Sequence, residues 1–238
     1  MAPEKPSISR IVWPIVAVVL GGGAILLSNR EPAGPGGRPI VRDADSYQRE
    51  NAVARDLTLP IFAKAQKGEE VSNEERAKLL EAIPHLQAMN AYAPIKVGPY
   101  FAMGQIRQIR GELDEAGRSY EQAISNEKAD WEEQKNPALH ATVTEAKALL
   151  AETLLDYAIQ RQQAGAPPEE LKMLRERALS WADQAVKAQP DAPRYLAARA
   201  SALLALNRNE EARAAVLAAV ASDPNHFKVK PLASLLGL

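Results

Sequence analysis

The stretch YFAMGQIRQIRGELDEAGRSYEQA, Tyr100–Ala123, decides the fold. Tyr100, Met103, Gly104, Gly111, Ala116, Tyr120 and Ala123 fall at the spacings of one helical hairpin. Apolar or small side chains three and four residues apart line one face of each helix. Gly104 removes the side chain where two backbones must come close, and Gly111 supplies the turn between them. Ala116 packs back on the first helix and Tyr120 fills the gap beside it. A helix pair with so narrow an apolar stripe cannot bury that stripe alone, so it demands neighbours of the same kind.

Such neighbours are present. Leu196, Ala200, Leu203, Asn207, Ala212, Val216, Ala219 and Pro224 repeat the spacings near the C-terminus. There Asp191 and Pro193 start the first helix, and Asn207 with Glu210 is placed to cap the second. A degenerate copy lies between the two. Leu150, Ala151 and Leu154 mark its first helix, Ala178, Ala182, Ala185 and Pro190 its second, and an enlarged turn is expected around Gln160–Glu170. These residues resemble the tetratricopeptide repeat, a helix-turn-helix unit of about 34 residues. The best copies cover about 97–128 and 193–226, and the stretched copy about 137–190. Two departures predict an irregular superhelix: the copies are spaced wider than about 34 residues, and Arg107 stands where Leu203 stands in the last copy.

Upstream, Asp45–Lys67 reads as a helix carrying Pro60, and Ser72–Ala91 as a second carrying Pro84. Both prolines predict bends. Ser72 and Glu75 have capping-box spacing. Glu31–Pro39 is a Gly/Pro-rich linker (31–42), and no Lys-Ser/Thr pair follows it as a phosphate loop requires. Ile11–Leu27 is uncharged, and extended to residues 8–28 it is long enough for a bilayer. No small-x-small cleavage site follows it. The expected class is therefore all-α: residues 1–30 a tail and transmembrane anchor, then an irregular tetratricopeptide-like superhelix over 43–238. The expected location is a single-pass membrane protein with its bulk periplasmic or extracytoplasmic. The tail Pro231–Leu238 reads as a short apolar helix covering the last repeat.

Composition bounds the chemistry. The net charge is −1, and residues 31–238 carry about −3 once Lys5, Arg10, Arg30 and Glu4 are set aside. No basic stripe suits nucleic acid. The chain has no cysteine, which removes disulfides, thiolate metal ligands and cysteine nucleophiles. His85, His140 and His226 are isolated, so no metal site is expected. Of the acidic pairs, Glu74-Glu75, Glu169-Glu170 and Glu210-Glu211 fall in first helical turns, where carboxylates meet the helix dipole favourably, and Glu69-Glu70 falls in a loop. No serine-nucleophile signature occurs, and Trp131 and Trp181 read as packing residues. No catalysis and no cofactor are expected.

What remains is surface. The resemblance implies a concave face that holds an extended peptide or a partner's helix. Carried over by register, that face presents Phe101, Gln105 and Gln108 from the first good copy, Glu145, Ala148 and Glu152 from the stretched copy, and Arg194, Ala197 and Ser201 from the last. The expectation is a membrane-anchored scaffold binding other, membrane-associated proteins, similar to ancillary subunits of export or assembly machinery. The alternative is an accessory structural subunit of a membrane complex, held through its transmembrane helix.

Overall fold

The computed structural model describes residues 44–238. They form ten helices and no strand: α1 Ala44–Gln66, α2 Asn73–Tyr92, α3 Val97–Arg110, α4 Leu113–Ser125, α5 Glu127–Gln134, α6 Ala138–Gln163, α7 Pro168–Ala188, α8 Pro193–Ala205, α9 Asn209–Ser222 and α10 Val229–Leu235. Eight of them pair as successive hairpins, α1/α2, α3/α4, α6/α7 and α8/α9, while α5 is inserted and α10 closes the array. The first helices also touch one another along the stack, α1 with α3, α3 with α6 and α6 with α8. They form the inner layer.

All four hairpins turn in the same way. A residue one or two positions beyond each first helix is left-handed: Gly68 at φ 75°, Gly111 at 80°, Gly165 at 78° and Asn207 at 59°. The next N–H then reaches back five residues, as in Glu112 N to Arg107 O at 2.9 Å and Arg208 N to Leu203 O at 2.9 Å. This pattern satisfies carbonyls that a helix end leaves open. Asn207 thus makes the turn rather than capping α9, whose N-cap position is Arg208 without a side-chain cap. The capping box at α2 is present, with Ser72 Oγ accepting from Glu75 N and Ser72 N donating to Glu75 Oε2.

The hairpin at 100–123 is as tight as its glycine demands. A Cβ on Gly104 would lie 2.5 Å from the Tyr120 ring. Arg107 avoids the core by donating to Ser119 Oγ at 2.7 Å and to the Glu115 carbonyl at 3.3 Å. The irregular spacing has two sources. The eight-residue α5 sits between the second and third hairpins, and α6 and α7 run 26 and 21 residues against 13 and 14 in the last pair. The expected enlarged turn at Gln160–Glu170 is therefore a four-residue link, 164–167, with the added length in the helices. Pro60 and Pro84 lie inside continuous helices.

The core divides at α3. One cluster gathers Phe62, Leu79, Leu86, Met89 and Ile106 from α1–α3, and a larger one runs from Val97 through Tyr120, Leu150 and Leu203 to Ala233 on α10. Trp131 and Trp181 pack at its margin. Its many alanines bring helices close at small area per residue, so close approach rather than bulk holds these hairpins together.

The single-pass membrane localisation requires correction. Among the described residues no helix is long and apolar enough to cross a membrane. The longest, α6, carries Glu145, Lys147, Glu152, Asp156 and Arg161 along its length, charges that hydrocarbon does not tolerate. The apolar segment 8–28 and the linker 31–42 lie outside the described residues.

Candidate functional site

The inner layer encloses a cavity of about 200 Å³ to which all four first helices contribute. Phe62 comes from α1, Gln105 and Gln108 from α3, Leu149 and Glu152 from α6 and Arg194 from α8. Four of the residues expected on the concave face, Gln105, Gln108, Glu152 and Arg194, therefore meet at one place. Glu145 is about two helical turns from Glu152, does not line the cavity, and pairs with Arg194.

The other expected positions fall elsewhere. Phe101 is 4% exposed and packs against Tyr120 with ring centroids 6.0 Å apart, so it belongs to the core. Ala148 and Ala197 are buried. Ser201 is half-buried along α8 and does not line the cavity.

Charge organises the rest. The Arg194 guanidinium pairs with Glu145 through one nitrogen, and its Nε stands 3.9 Å from Glu152 Oε1. Burial works against this charge, but Glu145 and then Glu152 together outweigh it, and the Arg194 pKa is raised. The same burial raises Tyr120 and Tyr195, with Glu145 adding to the shift at Tyr195. Tyr120 O–H donates to Gln108 Oε1 at 2.8 Å, which fixes that amide at the cavity wall. Among the described residues Arg194 Nε and Glu152 Oε1 are buried without a hydrogen-bond partner. Buried polar atoms in that condition are uncommon, and these two face each other across the 3.9 Å ion pair.

Sequence reasoning missed the segment that borders this cavity. Beyond α9, Phe227 and Lys228 fold back onto the inner layer and complete the lining. Lys228 Nζ pairs with Glu152 Oε2, giving that carboxylate a second cation. Phe227 lies against Gly68, where a Cβ would come within 2.7 Å of its ring. The chain has three phenylalanines; two border this cavity and the third is Phe101. A phenylalanine outside any helical stripe, directly before a lysine, was the available signal.

Elsewhere, an open depression of about 600 Å³ lies between α7 and the α8–α9 turn. Several of its charges are engaged by neighbours, among them Asp183 with Arg199 at 2.6 Å and Arg208 with Glu211 at 2.7 Å. His85 pairs with Glu50 at 2.6 Å and His140 with Glu127 at 2.8 Å. Among the described residues no three His, Asp or Glu side chains are grouped as metal ligands.

Comparison with known proteins adds a family to this geometry. Among curated proteins none matches the chain. Residues 193–226, which hold α8, α9 and the segment leading to Phe227, match the tetratricopeptide repeat family. The match covers the last hairpin of this all-helical array, which is similar to a tetratricopeptide repeat.

Proposed function

We propose that this protein is an interaction scaffold whose inner layer, α1, α3, α6 and α8, holds a segment of a partner protein. The supporting observation is the convergence of Gln105, Gln108, Glu152 and Arg194 on one cavity, two of them with buried polar atoms lacking a hydrogen bond. A cavity of about 200 Å³ is smaller than the roughly 300–1,000 Å³ of small-molecule sites. It accepts a side chain of a longer ligand rather than a whole metabolite. Tetratricopeptide repeats bind other proteins as a rule, and their stacked first helices supply the concave surface. Catalysis is not part of the reading, because the inner carboxylates Glu145 and Glu152 are engaged by Arg194 and Lys228.

Peptide display against the full chain tests this. Selected peptides should bind the parent and lose at least about tenfold in affinity, about 1.4 kcal/mol, to a Gln105→Arg/Gln108→Arg variant of unchanged helical content. Peptides that bind the variant as well as the parent would remove the inner layer from consideration.

A further inference from the structure

We infer that the loop His226-Phe227-Lys228 occupies the inner-layer site as a built-in ligand, and that the partner segment which displaces it carries an aromatic residue followed directly by a basic one. This rests on the inner-layer reading above and names the chemistry of its ligand.

The loop is folded for the task. After α9 the chain turns on Asp223, whose Oδ1 accepts from Asn225 N at 3.0 Å, and Lys228 N donates to His226 Nδ1 at 3.3 Å. The turn projects Phe227 and Lys228 side by side, with the Lys228 ammonium 5.7 Å from the Phe227 ring centroid. Both side chains contact the opposite wall rather than their own hairpin. Phe227 lies on Gly68, 159 positions away in sequence, and Lys228 reaches Glu152 on α6. Yet Phe227 is still 37% exposed, unlike the core aromatic Phe101. A phenylalanine left more than a third exposed gains only part of the burial a core aromatic has, so its contact is open to competition.

Charge selects the competitor. Glu152 on α6 lines the cavity between Arg194 and Lys228; on the same helix Glu145 pairs with Arg194, and Asp156 lies within the influence of Glu152 and Lys228. Moving the loop out removes Lys228 and leaves three carboxylates with one guanidinium. An incoming segment must therefore restore a cation beside Glu152 and an apolar ring over Gly68. An acidic or phosphorylated segment is repelled, and an aliphatic one leaves Glu152 short of a partner in a mostly buried place.

The probe is a fluorescent synthetic peptide, Pro-Asn-His-Phe-Lys-Val-Lys, copied from residues 224–230, measured by anisotropy on the full chain. Where the loop occupies the site in most molecules, apparent affinity is reduced by the fraction that is free. A Phe227→Ala/Lys228→Ala variant is thus expected to bind the peptide at least about tenfold more tightly than the parent. The Phe-to-Ala and Lys-to-Glu versions of the peptide should bind neither protein. Hydrogen exchange on the parent covers the case in which the variant does not fold. Saturating peptide should raise exchange at 225–229, where the loop is displaced, and leave both α9 and the re-covered turn at Gly68 unchanged. Equal binding by parent and variant, equal binding of the Lys-to-Glu peptide, or unaltered exchange at 225–229 overturns the inference. Displayed peptides that need Gln105 and Gln108 but lack an aromatic-basic pair overturn it while leaving the scaffold reading intact. Failure to find any inner-layer peptide overturns both.

Discussion

At the residue scale two glycines on neighbouring helices make opposite predictions. Gly104 on α3 faces the Tyr120 ring, and an added Cβ would sit 2.5 Å from it. Tyr120 is fully buried and its hydroxyl is tied to Gln108, so the ring has nowhere to go. Overpacking a filled core costs about 1–3 kcal/mol, which outweighs the roughly 0.5–1 kcal/mol that alanine gains over glycine inside a helix. Gly117 on α4 is buried too, but its added Cβ would meet only Leu150 Cδ1, at 3.8 Å. That is ordinary contact. Gly104→Ala should therefore lower the urea midpoint, with a loss of about 1–2 kcal/mol, and Gly117→Ala should raise it by about 0.5–1 kcal/mol. A neutral Gly104→Ala would mean that the two helices do not meet through this glycine.

At the element scale the inserted α5 has a defined duty. Asp130 on α5 accepts Val97 N–H at 2.9 Å through Oδ2 and pairs with Lys96 Nζ at 3.1 Å through Oδ1, and Lys96 also pairs with Glu133 at 3.2 Å. Lys96 occupies the N-cap position of α3 yet offers no side-chain acceptor, so Asp130 satisfies that helix start from 33 residues away. The Lys96 and Asp130 side chains are only 3% and 4% exposed. Removing one partner of a buried pair costs about 3–5 kcal/mol when the other charge is left alone. Lys96, however, keeps Glu133 at 3.2 Å, so the main loss is the unsatisfied Val97 N–H, about 1–3 kcal/mol. Asp130→Ala should lose stability in that lower range by denaturant titration, and Asp130→Asn, which keeps an acceptor for Val97 N–H, should lose less. Equal loss in both would assign the effect to charge alone. The hairpins at 97–128 and 193–226 were legible in sequence because glycine, tyrosine and alanine spacing is local. The α5 clamp was not, because its partners lie far apart and a buried lysine looks like any surface lysine. The charged inner residues were legible as positions on a helix face, but their pairing was not: Arg194 and Glu145 belong to different hairpins, and only stacking brings them together. Phe101 shows the limit of register transfer, since it shares the expected face with Gln105 and Gln108 but is drawn inward by Tyr120.

At the scale of the whole molecule the loop after α9 changes how the array behaves. A solenoid's stability is normally a sum of units and nearest-neighbour interfaces, so its ends open independently. Here the first hairpin turn, at Gly68, touches Phe227 near the other end, and Lys228 ties the same loop to α6 in the middle. The contact closes a path across the concave side that the helix stack alone leaves open. It also sits where the two halves of the core meet, since Phe62 of the first cluster and Leu149 of the larger one border the same cavity as Phe227. Phe227→Ala should therefore uncouple the first hairpin: amide exchange across Ala44–Tyr92 should rise severalfold while that of α8 and α9 stays near the parent's. Small-angle scattering should show a larger radius of gyration as the curve relaxes. A uniform rise in exchange would point to global destabilisation, and no rise would show that neighbouring interfaces alone hold the first hairpin in place. A selective rise means the same contact that fills the inner-layer site also sets its width, so a segment that displaces Phe227 would open the surface it binds.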